Sequence, residues 1–108
     1  MKLYLSGPMT GFPDKNYPLF RDVTAWLRAH ENWVVFSPVE HNHGTDKDWG
    51  FYMAHALRMQ LQCNAIAFLP GWTQSKGARR EFDIACDLGF SMLLVKPVLN
   101  SWRLEAMG

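Results

Sequence analysis

Leu69-Pro70-Gly71-Trp72-Thr73-Gln74-Ser75-Lys76-Gly77-Ala78-Arg79-Arg80-Glu81 is the stretch that decides how this chain folds. An apolar run over residues 65–69 ends at a Pro-Gly turn, a short polar loop follows, and Ser75 opens a helical pattern carrying Glu81. Strand, loop and helix N-terminus in that order form the part of an open α/β sheet where ligands collect, outside the carboxyl ends of the strands. The run is apolar without alternation, which predicts a central strand covered on both faces.

The same alternation of strand and helix continues on either side. Residues 2–6 read as a strand stopped by Gly7-Pro8, and a loop through Gly11, Pro13 and Asp14 follows. Over residues 17–30, Leu19, Phe20, Val23, Trp26 and Leu27 recur at helical spacing, with Pro18 tolerated in the first turn. Residues 33–36 form a short second strand closed by Ser37-Pro38. A second helix is predicted from residue 48 to about 62, with Phe51, Ala54, Leu57 and Leu61 on its inner face. The third helix covers residues 76–88 and stops at Gly89; the fourth strand, residues 90–95, ends at Lys96-Pro97. This pattern predicts a domain over residues 1–97 and a tail over 98–108 with a short helix around Trp102. Four parallel strands in the order 2-1-3-4, joined by right-handed crossovers through three main helices, make a small doubly wound sheet.

At 108 residues, 48% hydrophobic and 19% charged, the chain is expected to fold as one ordered domain. A formal net charge of +1 argues against a nucleic-acid polymer or a membrane as partner, and with no membrane-length apolar run the expected location is the cytoplasm. Cys63 and Cys86 fall in helix-like segments and read as buried free thiols. Glu40, His41, His43 and Asp46 lack the spacing of a structural zinc site, so neither a metal nor a cofactor is expected. His30 suits the negative end of its helix.

The order 2-1-3-4 places Ser6-Gly7-Pro8-Met9-Thr10-Gly11 opposite Trp72-Thr73-Gln74-Ser75-Lys76-Gly77. Glycines allow backbone to approach a ligand, and free N–H groups at a helix start favour an anion, so a phosphate site is one reading. An ordinary N-cap at Ser75 is the other. Lys76, Arg79 and Arg80 crowd the positive end of a helix dipole, where they imply either an Arg79–Asp83 pair on a solvated face or an anionic ligand or partner. Glu81 borders the inward positions Ile84, Ala85 and Leu88, as a buried structural group or as a reactive one.

Tyr4-Leu5-Ser6-Gly7-Pro8-Met9-Thr10-Gly11, together with Leu69-Pro70-Gly71-Trp72, Ser75-Lys76-Gly77-Ala78 and Glu81, resembles the nucleoside 2-deoxyribosyltransferase-like superfamily over roughly residues 1–97. The nearest branch is the small one called domain of unknown function 4406, frequent in phages and prophages, with deoxynucleoside monophosphate N-glycosidases as relatives. The resemblance implies a three-layer Rossmann- or flavodoxin-like fold, a homodimer, and action on the N-glycosidic bond of a nucleoside or nucleotide in the cytoplasm, the host's if the gene is phage-borne. It implies Glu81 as the catalytic carboxylate at the anomeric carbon. Ser75 and Gly77 match positions that hold a 5′-phosphate, and Tyr4 and Gly7 match site-lining positions. Ser6, Pro8, Met9 and Gly11 fall in the same first loop, and Thr10 stands where relatives carry an arginine. Trp72 is placed to stack on a base or simply to pack. Relatives also carry an aspartate in the second helix, eight residues before the third strand opens; here that position is Ala56.

Three readings follow. The first is an N-glycosidase or deoxyribosyltransferase with Glu81 as nucleophile. The second is a nucleotide-sequestering protein that has lost the acid. The third is an interaction domain using the tail tryptophan.

Overall fold

Period-two alternation in the central strands sets the architecture. The protein is seen as a computed structural model that describes residues 1–40 and 49–107. Strands β1 (Lys2–Ser6), β2 (Val34–Phe36), β3 (Ala65–Phe68), β4 (Ser91–Val98) and β5 (Ser101–Ala106) form one sheet in the order β2-β1-β3-β4-β5. The first four are parallel and β5 runs antiparallel to β4. Helices α1 (Tyr17–His30), α2 (Trp49–Gln60) and α3 (Lys76–Leu88) connect them. The predicted order of the first four strands holds, as do the spans of α1 and α3.

Successive strand residues point to opposite faces. Leu3, Leu5, Ala65 and Ala67 pack under Phe20, Val23 and Leu27 of α1. Tyr4, Ile66 and Phe68 point the other way, against Ala56 and Met59 of α2 and Ala85 of α3. The result is three layers: α1, the sheet, and α2 with α3. Among the described residues no helix is long and apolar enough to cross a membrane.

Four expectations need correcting. The tail is a fifth strand, not a helix around Trp102. Trp102 and Leu104 pack against the α1-side core while Arg103 and Ser101 stay exposed, an alternation of period two. Trp102 is therefore no free docking group. Second, β4 does not stop at Lys96-Pro97. Its pairing with β3 ends at Leu94, so the Pro97 nitrogen lies on an edge with no ladder to break, and Pro97 sits opposite Trp102 of β5. Third, α2 ends at Gln60, which leaves Leu61 beyond it and exposed, and its inner face differs from the predicted one: Phe51 is exposed, and Met59 and Gln60 are buried. The helix is apolar almost all round, which leaves its phase undefined by spacing alone. Fourth, Cys63 is buried as predicted, but Cys86 is exposed; both are free thiols. Ala78, Glu81 and Ala85 occupy the inner face of α3 and leave Cys86 outside.

Candidate active site

The two loops predicted to meet do meet. Ser6 lies in register with Phe68, and the Leu69 N–H donates to the Ser6 carbonyl at 2.8 Å. A Cβ on Gly7 would stand 2.7 Å from that of Leu69, so only glycine allows this approach. Gly71 adopts φ +85°, and a Cβ there would touch Pro8 at 3.5 Å. The place where these loops meet is the switch point of the sheet, where β1 has neighbours reached through helices on opposite faces.

Glu81 reaches this point from α3. Ser75 caps the helix, its Oγ accepting from the Ala78 N–H at 3.1 Å, and this start turns Ala78, Glu81 and Ala85 inward. Tyr4 and Ser6 lie two residues apart on β1 and so share the face toward α3. The Tyr4 hydroxyl donates to Glu81 Oε2 and the Ser6 hydroxyl to Oε1, each at 2.7 Å. Glu81 is only 5% exposed. Burial pushes its carboxyl up to about 7, against the opposing pull of the Ser6 and Tyr4 hydrogen bonds. The Tyr4 hydroxyl is itself held well above its ordinary range by burial and by the adjacent carboxylate. A carboxyl poised near neutrality, with both oxygens held by hydroxyl donors, can serve as proton carrier or as nucleophile.

Of the residues singled out from sequence, Tyr4, Ser6 and Glu81 form one hydrogen-bonded cluster. Gly7 lets the loops approach, and Gly71 supplies the left-handed turn. Pro8 is buried and its carbonyl accepts from the Asn16 amide at 2.9 Å, while Met9 packs on the α1-side core. Thr10 and Gly11 are exposed farther along the loop. Trp72 packs on Phe68 (4.4 Å between centroids) and on Phe82 (5.2 Å) and stays half-buried. Gly77 lies beside α2, where an added Cβ would be 3.8 Å from Met53 Sδ. Ala56 packs in the apolar cluster around Tyr4. The Arg79–Asp83 pair is not formed: the two ion pairs among the described residues are Arg28–Glu40 and Arg103–Glu105. The described residues contain no group of three metal-ligating side chains; His41, His43 and Asp46 lie outside them.

Two features escaped the sequence. Gln60 is fully buried and its Nε2 donates to the Glu81 carbonyl at 2.8 Å, tying α2 to the helix that carries the carboxylate. A polar side chain between Met59 and Leu61 was the available signal, hidden by the uncertain phase. The second is a run of three left-handed residues, Asp14, Lys15 and Asn16 (φ 50°, 53° and 63°), in the loop after β1. It carries Lys15 Nζ to 5.8 Å from the Tyr52 ring, and Lys76 Nζ lies 4.3 Å from the Trp49 ring. Cations from the loop after β1 and from the first turn of α3 thus rest on the first turn of α2.

Known structures share this arrangement of strands and helices. A 2-deoxyribosyltransferase from Bacillus psychrosaccharolyticus superposes with a TM-score of 0.65 at 19% identity, over 93% of this chain and 77% of that one. A 2-deoxyribosyltransferase from Leishmania mexicana gives a TM-score of 0.65 at 21% identity, over 99% and 79%. At such identities the likeness establishes the fold, a deoxyribosyltransferase-like Rossmann arrangement. No curated protein matches the sequence. The family described as Domain of unknown function (DUF4406) matches residues 1–94, and the chain belongs to it.

Proposed function

We propose that this protein binds a nucleoside 5′-monophosphate between the loops after β1 and β3 and cleaves or transfers at its N-glycosidic bond. The observation that carries the reading is the buried Glu81 carboxyl, clamped by Tyr4 and Ser6 at the carboxyl end of the two central strands. Breaking a glycosidic bond builds positive charge on the sugar carbon as the base departs with the bonding electrons, and a carboxylate there stabilises or captures that carbon. The Tyr4 and Ser6 donors favour the anionic form that this role needs. The capped N-terminus of α3, with Ser75 and Gly77, supplies N–H groups suited to the 5′-phosphate. The two similar structures are deoxyribosyltransferases, which supports sugar transfer as the reaction class.

A second reading rests on Ala56. A departing base takes up a proton, and the α2 position where relatives carry an acid holds a packed methyl group instead. A protein of this design binds and sequesters the nucleotide without turning it over.

Incubating the chain with deoxyribo- and ribonucleoside monophosphates, and measuring free base and thermal stability, separates the two. Base release that disappears in Glu81→Gln supports cleavage. Stabilisation without release supports sequestration, and it should reach about 2.7 kcal/mol at a hundredfold excess over Kd. Release that persists in Glu81→Gln overturns the role given to Glu81, and neither effect with any nucleotide overturns both readings.

A further inference from the structure

The outer side of α3 carries a group of residues that the Glu81 site does not use. Lys76, Arg79, Arg80 and Asp83 recur at three- and four-residue intervals and share one side of the helix, opposite the buried Ala78, Glu81 and Ala85. They line a hollow of about 600 Å³ whose remaining wall includes Trp72 and Phe82. That volume falls within the roughly 300–1,000 Å³ typical of small-ligand sites.

The electrostatics are one-sided. Three cations face one carboxylate, and they occupy the end of the helix where the backbone dipole already disfavours positive charge. Among the described residues none of the three is in an ion pair. Lys76 rests on the Trp49 ring, and Arg79 and Arg80 are exposed. Such a face is stabilised by an anion from outside the chain. Its wall of stacked indole and phenyl rings suits an anion with a flat, apolar part better than a bare ion.

We propose that this hollow binds a phosphorylated small molecule bearing a ring system, of the nucleotide class, at a site distinct from the Tyr4–Ser6–Glu81 cluster. The proposal does not rest on the catalytic reading, because neither Tyr4 nor Ser6, the hydrogen-bond partners of the Glu81 carboxyl, lines the hollow. A nucleic-acid strand fits less well, since its binding relies on a basic track and the chain as a whole carries a net charge of only +1.

The test is an NMR titration of the ¹⁵N-labelled chain with adenosine 5′-monophosphate, and separately with inorganic phosphate. The expected result is a saturable set of shifts at the amides of Lys76, Arg79, Arg80 and Asp83 and at the Trp72 indole, with inorganic phosphate at least tenfold weaker. The double substitution Arg79→Glu, Arg80→Glu should weaken that set at least tenfold while leaving the spectrum elsewhere that of a folded chain. Shifts confined to the Ser6–Gly11 loop with Ser75 and Gly77 would overturn the proposal. So would hollow shifts that survive the charge reversal, equal affinity for bare phosphate, or no saturation at millimolar nucleotide. Concentration-dependent self-association through this face in place of nucleotide binding would overturn it as well.

Discussion

Replacing Glu81 with glutamine should make the protein more stable, by an amount that grows as the pH rises from about 4.5 through about 7. In the folded chain the carboxyl titrates at about 7, against 4.5 for an unperturbed glutamate. The folded state therefore holds this proton more tightly than the unfolded state does. The stability it contributes is complete below about pH 4.5 and is lost as the pH rises through about 7. A separation of roughly 2.5 pH units, at about 1.4 kcal/mol each, corresponds to ~3 kcal/mol. The substituted amide stays neutral at every pH. Its carbonyl accepts from one of the two hydroxyls and its NH₂ donates to the oxygen of the other, since Tyr4 and Ser6 both rotate to suit. Wild type and Glu81→Gln should therefore agree within ~1 kcal/mol near pH 5. The variant should lead by about 2–3 kcal/mol well above pH 7, on the order of 10–20 °C in Tm for a chain of this size. Urea denaturation of both proteins across that range measures the difference, and taking it at each pH cancels every titration the two share. A difference that does not change with pH would refute the reasoning. One that moves against glutamine as pH rises would show that the two hydroxyl donors outweigh burial and that the carboxylate is the form the fold prefers.

Other consequences are local. Ser6→Ala removes the donor to Oε1, so the carboxyl should titrate still higher, as followed by ¹³C NMR, and stability above pH 7 should drop by about 1.5–3 kcal/mol. Gly7→Ala forces a methyl against Leu69, and denaturant unfolding should register a loss of about 1–3 kcal/mol. Gln60→Met removes the hydrogen bond to the Glu81 carbonyl together with an Oε1 that has no partner. The two effects oppose, and equilibrium unfolding should change by less than ~1 kcal/mol.

The fold was legible wherever a segment had one unambiguous period. Leu19, Phe20, Val23 and Leu27 leave no reading but a helix, and Ser75 with Gly89 brackets α3 to the residue. The unbroken run before Pro70 marked a central strand because both its faces are covered. The signal failed where chemistry and periodicity compete. Six of the twelve residues of α2 are large and apolar, so its phase was settled by a hydrogen bond from Gln60 that no spacing reveals. Pro97 looked like a strand end because a proline is judged by the ladder it would break, and whether a ladder exists at that edge is a tertiary fact. In the site, the sequence offered Tyr4, Ser6 and Glu81 separately. Their union depends on the strand order that puts β1 beside β3 and on the pleat that turns residues 4 and 6 to one face.

Burial raises the proton affinity of Glu81, with no charged group among the causes. One group then controls two properties. On the proposed reading the carboxylate is the working form, so base release should rise as pH passes through about 7, by which point the folding stability that falls from about pH 4.5 upward has mostly been lost. A nucleotide whose sugar carbon becomes positive meets the anion where the empty fold least tolerates it. Bound substrate should therefore offset the stability lost at high pH, and more so the later its state along the bond-breaking path. An activity profile that rises through neutrality and a stability profile that has fallen by then, both flattened by Glu81→Gln, are the signature of a site whose reactivity comes from one buried acid with no charged neighbour among the described residues.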